Sequence, residues 1–171
     1  MRIEKIETYK LIAPIEPSFG WSQGWAEKRH LLLVKITGDD GTVGWGETLG
    51  VPSQSVLHEI LAPLVIGQDP MNRSGIWERM FQRSGFYLSN SAVGLGACGM
   101  SGIDIALWDL AGKAAGIPVC EMLGGRVREQ VAVYATGLYY TENETHETLC
   151  KEAVGYVPDT GLHAGSQKTI E

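Results

Sequence analysis

Between Ala92 and Gly116 the chain carries AVGLGACGMSGIDIALWDLAGKAAG, a stretch dense in Gly, Ala and Ser that nonetheless keeps helical spacing. Glycine inside a helix costs about 1 kcal/mol relative to alanine, so a helix built this way requires a return from its surroundings. Small residues on one face supply it, because they let a neighbouring element approach the helix axis closely. The segment therefore predicts a long interface helix, stopped at Gly116-Ile117-Pro118. Within it, Asp104 and Trp108 are four apart, and so are Asp109 and Lys113, the latter in the favourable acid-first order. The acids are expected to anchor neighbouring groups.

The segments before it read as a three-stranded antiparallel meander followed by helices. An opening strand, RIEKIETYKL, is followed by a long loop, Ala13 to Arg29. A second strand runs from His30 to Thr37 and a third from Thr42 to Glu47. Asp40-Gly41 between the last two is a hairpin signal, since glycine supplies the positive φ of the turn. The loop holds Phe19, Trp21 and Trp25 among glycines and polar residues, which suits either a lid or a packed flap. Ser55 to Leu64 predicts a helix with Val56, Leu57, Ile60, Leu61 and Leu64 on one face. Asp69-Pro70 predicts the N-cap of another, with Ile76, Trp77, Met80 and Phe81 buried. After Gly124-Gly125 the pattern becomes strand (Val131 to Thr136), helix (Glu142 to about Tyr156) and a further strand from Gly161, the beginning of a parallel α/β layer.

Composition excludes several classes of function. The chain has 171 residues, close to one domain, and 44% of them are apolar, enough to build a core. With 14 basic and 20 acidic residues the net charge is −6, and the basic clusters Lys28-Arg29-His30 and Arg126-Val127-Arg128 are too small for a nucleic-acid surface. No apolar run approaches the ~18 residues of a membrane span, and MRIEKIETYK has no secretory core. Cys98, Cys120 and Cys150 fit reduced thiols. The expectation is a cytoplasmic protein without membrane or nucleic-acid partners.

Two motifs invite other chemistry. Gly94-Leu95-Gly96-Ala97-Cys98-Gly99 matches G-x-G-x-x-G, with Glu121 where a ribose-binding acid would sit. However, Ser89-Asn90-Ser91 before it is no buried strand, and Pro118 would interrupt the strand expected after it. A glycine-rich helix start is the favoured reading, with a dinucleotide fold as the minor one. His58-Glu59 and His146-Glu147 resemble half of a zinc-binding H-E-x-x-H, but Ala62 and Cys150 stand where the second histidine belongs.

MSGIDIALWDLAGKAAGIPVCEMLGG resembles the signature of the mandelate racemase/muconate lactonizing enzyme family of the enolase superfamily, with Gly99 and Met122 as its loose positions. The similarity continues through DDGTVGWGET, LVIGQDP and VAVYATG, and is strongest to the sugar-acid members. The resemblance implies an α+β capping domain over residues 1–125. Residues 126–171 are then the first strand-helix units of a (β/α) TIM-type barrel, incomplete in this chain. It also implies Mg²⁺-assisted removal of the proton α to a carboxylate, giving cycloisomerisation of a sugar-acid lactone, or dehydration of an acid sugar. A non-catalytic scaffold module is the rival from another class.

By the same resemblance the first capping loop, Pro17 to Arg29, offers Phe19, Trp21, Trp25 and Arg29 for substrate binding. The second, Thr48 to Val51, offers Thr48, and the barrel strand offers Tyr134. Aligning Gly161 to Gly165 with the family's second barrel strand puts Ser166-Gln167-Lys168 at a K-x-K pair, so that Lys168 occupies the catalytic-base position without its usual lysine neighbour. The Mg²⁺ ligands are expected downstream of Glu171, with none in this chain, since a full barrel takes about 250 residues. The 171-residue chain is therefore expected to be inactive alone. Residues beyond about Arg126 are expected to lack support unless another chain completes their strand edges. A homo-oligomer acting on a small sugar acid or lactone is the implied assembly.

Overall fold

The computed structural model of the protein describes residues 1–49, 52–88, 94–134, 137–156 and 167–170. The chain divides into two compact units, Met1–Ile12 with His30–Gly125, and Ala13–Arg29 with Arg126–Glu171.

The strands β1 (Ile3–Trp21), β2 (Gly24–Gly38) and β3 (Val43–Thr48) form a sheet in the order β1-β2-β3, and the first unit holds β3 with the inner halves of β1 and β2. The β2–β3 pair is antiparallel, with Val34 opposite Gly46 and Ile36 opposite Gly44. Its turn behaves as Asp40-Gly41 foretells. Gly41 has φ 82°, the Gly38 amide donates to the Thr42 carbonyl at 2.9 Å, and the Thr42 amide donates to Asp40 Oδ1 at 2.9 Å. Leu32, Val34 and Ile36 are fully buried while Leu31, Leu33, Lys35 and Thr37 are not. The apparently continuous apolar run of β2 is thus a period-two strand with one face in the core.

Helices cover that face. A helical turn α1 (Ser53–Val56), a π-helical turn (Leu57–Leu61) and α2 (Ala62–Val65) form one continuous rod that buries Leu57, Leu61 and Val65. The next helix, α3 (Arg73–Leu88), starts later than the proline signal suggests. Asp69 Oδ1 accepts from the Met71 amide at 2.9 Å and closes a local turn. Asn72 is the residue that caps α3, accepting from the Gly75 amide at 3.3 Å. Ile76 and Met80 are buried as expected, but Trp77 is 39% exposed and stacks on Phe81 at 5.0 Å.

The long helix α4 (Gly94–Ala115) is followed by α5 (Val119–Met122). Ala92, Val93 and Ser89-Asn90-Ser91 lie outside the described residues. Gly116, at φ 69°, ends α4, and the Ile117 amide returns to the Gly112 carbonyl at 3.0 Å. Because Val119 to Met122 is helical, the strand that a dinucleotide site would need before Glu121 is absent at that position.

The small residues of α4 lie against β3. A Cβ on Gly46 would run into the Gly102 carbonyl oxygen, and one on Gly44 into the Ala106 carbonyl oxygen. On the other side of α4, a Cβ on Gly99 would lie 2.9 Å from a methyl of Leu61. Ile103, Ala106, Leu107 and Leu110 complete a core shared with Ile3, Ile6, Val34, Ile36, Leu57, Leu61, Ile76 and Met80. Asp109 and Lys113 close the edge of β3. Asp109 Oδ2 accepts from the Trp45 amide at 2.8 Å, and Lys113 Nζ donates to Asp109 at 2.6 Å and to the Val43 carbonyl at 3.1 Å. Two backbone groups of the edge strand, the Trp45 amide and the Val43 carbonyl, are thereby paired with side chains, which makes that stretch a poorer template for another strand.

The second unit contains the outer halves of β1 and β2, then β4 (Val131–Tyr134), α6 (His146–Gly155) and β5 (Gln167–Ile170). Here two expectations are corrected. Residues 13–29 are no loop but a β-hairpin arm with its turn at Ser22-Gln23. The glycines that suggested a loop are where the tryptophans lie. A Cβ on Gly20 would be 2.8 Å from the Trp25 ring, and one on Gly24 would be 3.2 Å from the Trp21 ring. Each indole covers the bare backbone of the opposite strand.

The second correction concerns the parallel layer. β4 and β5 pair antiparallel, Val133 opposite Lys168 and Tyr134 opposite Gln167. A parallel crossover is held by a helix packed on the sheet, and α6 has no buried residue to hold one. Thr145 caps α6, accepting from the Thr148 amide at 3.2 Å. Thr136 and Gly161 to Ser166, parts of the strands expected here, lie outside the described residues.

Replacing Gly46 with alanine should destabilise the first unit by about 3 kcal/mol or prevent its folding, because backbone rather than a flexible side chain occupies the space. Gly41→Ala, which meets open space but keeps φ 82°, should cost only about 1 kcal/mol. Urea unfolding followed by circular dichroism measures both.

Candidate functional site

In the first unit, the C-terminal end of β3 and the first turns of α4 enclose a cleft of about 550 Å³ lined by Glu47, Thr48, Leu49, Ala97, Cys98, Ser101 and Ile105. Its walls are mostly apolar, with Leu49 70% exposed and Ile105 47% exposed. Thr48 lines it but is itself buried, and its hydroxyl donates to the Cys98 carbonyl at 2.5 Å. Gly50 and Val51, the rest of the second capping loop, lie outside the described residues. The sequence reading singled out Thr48 but missed Ala97, Ser101 and Ile105, which recur every four residues along α4. That i, i+4, i+8 spacing was the available signal.

A second groove, of about 340 Å³, lies between α3 and α4 and is lined by Arg73, Ser74, Trp77, Glu78, Asp104 and Trp108. The Arg73 guanidinium stacks 3.9 Å from the centre of the Trp108 ring, while its Nε and Nη1 are shielded without a hydrogen-bond partner. Trp108 in turn hydrogen-bonds Asp104. Burial pushes the Asp104 carboxyl above its ordinary value, against the opposing effects of the Trp108 bond and the Arg73 charge.

In the second unit the arm carries the aromatic residues singled out from the sequence. Trp21 and Trp25 are 47% and 52% exposed. Phe19 packs against Tyr139 with ring centres 4.6 Å apart. The backbones of Gly20 and Tyr140 exchange two hydrogen bonds, at 2.6 and 2.9 Å. Tyr139 and Tyr140 were not recognised from the sequence; their partnership with the arm depends on contacts about 120 residues apart along the chain. Arg29 is exposed on β2. Tyr134 and Lys168 are placed by backbone register alone, on paired strands and one position apart in the ladder. Nearby, Tyr156 donates to Glu152 at 2.7 Å, and the Leu138 amide donates to the same carboxylate oxygen at 3.1 Å. These bonds hold the Glu152 carboxyl below its usual range, the Tyr156 bond contributing most.

Among the described residues no group of three or more His, Cys, Asp or Glu side chains is placed to hold a metal ion. His58 is engaged otherwise, its Nε2 lying 2.7 Å from the Thr8 hydroxyl. No described helix is long and apolar enough to cross a membrane.

Comparison with known proteins decides the family. The description of the mandelate racemase/muconate lactonizing enzyme N-terminal domain matches residues 5–124. The chain belongs to the mandelate racemase/muconate lactonizing enzyme family. Its sheet and helices are that family's capping domain. The chain is 38% identical over 145 residues to the D-galactarolactone cycloisomerase of Agrobacterium fabrum, covering 84% of this chain and 37% of that protein. It is 41% identical over 107 residues to a D-galactonate dehydratase of Verminephrobacter eiseniae, covering 60% of this chain and 27% of that one. Among solved structures, the 3,6-anhydro-D-galactonate cycloisomerase of Zobellia galactanivorans superposes with a TM-score of 0.74 at 32% identity, over 92% of this chain and 40% of that one. The chain thus spans between a quarter and two fifths of the length of these relatives.

The groove between α3 and α4 supports a pH prediction. A carboxyl whose folded pKa is raised costs stability when ionised, and the cost is relieved as pH falls through that raised value. Asp104→Asn keeps an acceptor for Trp108 and removes the ionisation. Its melting temperature should exceed that of the wild type at pH 7. The difference should shrink as pH falls through the carboxylate range and be lost below 3.8, the ordinary aspartate value. Thermal melts between pH 3.5 and 8 read it.

Proposed function

We propose that this chain is the capping and substrate-covering part of a sugar-acid enzyme that removes the proton α to a carboxylate and leads to cycloisomerisation of a sugar-acid lactone. The observation that carries the reading is the 38% identity to D-galactarolactone cycloisomerase, which extends over 84% of the chain. The galactonate dehydratase relatives support a second reading of the same first step, in which a hydroxyl is lost after proton removal.

In this reading the arm binds and shields. Exposed indoles such as Trp21 and Trp25 suit the C–H faces of a sugar, and they keep water from the reacting carbon. Arg29, exposed on the same arm, suits the substrate carboxylate, to which a guanidinium can donate two parallel hydrogen bonds. Lys168 is the proposed base. Its neutral amine would take the α-proton onto Nζ, and the bonding pair left on carbon would pass into the adjacent carboxylate. In the family's chemistry Mg²⁺, when bound, would offset the negative charge that develops on that carboxylate. The described residues do not assemble a site for it, and nothing in the role of the arm depends on it. In this reading the 171-residue chain binds sugar acids without turning them over.

Tryptophan fluorescence titrated with D-galactonate and with D-galactaro-1,4-lactone tests the binding role. A saturable change that Trp21→Ala and Trp25→Ala each reduce, and that the uncharged polyol galactitol does not produce, is the expected result. No change with any sugar acid, or the same change with galactitol, would overturn it. Proton NMR in D₂O with Mg²⁺ tests the rest: loss of the substrate's α-proton signal would contradict an inactive chain.

A further inference from the structure

Thr48 was singled out as a substrate contact, yet its side chain is engaged inward on both branches. Its Oγ1 donates to the Cys98 carbonyl at 2.5 Å. Its methyl side faces Gly102, where an added Cβ would lie 3.2 Å from Thr48 Cγ2 and 3.1 Å from Thr48 Cβ. The Leu49 carbonyl lies 3.5 Å from both the Thr48 and the Ser53 hydroxyls. Thr48 and Ser53 are the buried polar residues among those described, at 6% and 0% exposure. The single hydroxyl proton of Thr48 goes to Cys98, so of the two hydroxyls near the Leu49 carbonyl only that of Ser53 is free to donate to it, and Thr48 ties the end of β3 to the first turns of α4. These are the two walls of the 550 Å³ cleft: Glu47, Thr48 and Leu49 on one, Ala97, Cys98, Ser101 and Ile105 on the other.

We propose that Thr48 is a positioning residue. It sets the separation of the two cleft walls and thereby the pose of Leu49 at the start of the second capping loop, without itself touching substrate. The setting of the walls does not rest on the sugar-acid reading above.

The chemistry of the contact says which change will matter. Valine keeps the methyl on Gly102 but puts a second methyl where the hydroxyl was. Carbon and oxygen that share no hydrogen bond need about 3.3 Å or more, so the Cys98 carbonyl must move away and the cleft must widen. Serine keeps the donor and loses only the methyl.

Cys98 is the built-in reporter, because it lines the cleft and is half-buried, whereas Cys120 and Cys150 are exposed. With Cys120 and Cys150 replaced by serine, Thr48→Val should raise the rate at which Ellman's reagent labels Cys98 by about fivefold or more, with an unchanged far-UV spectrum. Thr48→Ser should stay within about twofold of the parent. Thr48→Ala, which removes the donor without adding bulk, should also accelerate labelling and serves if Thr48→Val does not fold. Labelling at the parent rate in a folded Thr48→Val, or equal acceleration by serine and valine, would overturn the proposal.

Discussion

The carbonyl of Gly102 sits where a side chain on Gly46 would be. This approach of helix backbone to strand backbone brings several side chains of the first unit within reach of their partners. With α4 so close to β3, Asp109 can reach the Trp45 amide and Lys113 the Val43 carbonyl, which pairs two backbone groups of the sheet's open edge. At the other end of the same strand, Thr48 reaches the Cys98 carbonyl and defines the cleft. The cost of glycine in a helix is thus offset by contacts that a larger residue at either position would prevent. The far side of α4, through Gly99, Ile103 and Leu107, closes the core against the helical rod around Leu57 and Leu61.

The arm of the second unit uses the same device for another purpose. Trp25 over Gly20 and Trp21 over Gly24 let two large rings lie flat across a narrow ribbon while half of each remains exposed. An isolated two-stranded ribbon is marginal in water. Here, the bridge from Gly20 to Tyr140 and the Phe19–Tyr139 ring contact add long-range support. Indoles held against the ribbon yet exposed fit the substrate-covering role proposed above.

Much of this was legible in the residues. The hairpin at Asp40-Gly41, the close-packed α4 and its stop at Gly116 follow from local rules of φ, spacing and capping, and so does the Asp109–Lys113 pair. Asp109's bond to Trp45 was foreseen only as an acid anchoring a neighbour. What local rules misjudged depends on partners distant in sequence. Gly20 and Gly24 read as loop residues until the tryptophans across the strands are placed, and Asp69 read as a helix cap although Asn72 holds that position. Thr48 illustrates the site. Its position at the end of β3 was recognisable, but the direction of its hydroxyl depends on a helix carbonyl fifty residues away. β4 and β5 pair antiparallel and α6 has no buried residue, neither of which sequence periodicity alone revealed.

Native-state hydrogen exchange, read residue by residue, tests most directly whether the contact of α4 with β3 organises a cooperative unit. Amides of β2, β3 and the middle of α4 should exchange slowest and share one opening free energy and one denaturant dependence, while those of β4 and α6 exchange orders of magnitude faster. Protection in β4 or α6 equal to that in α4, or an α4 that opens independently of β3, would contradict the account.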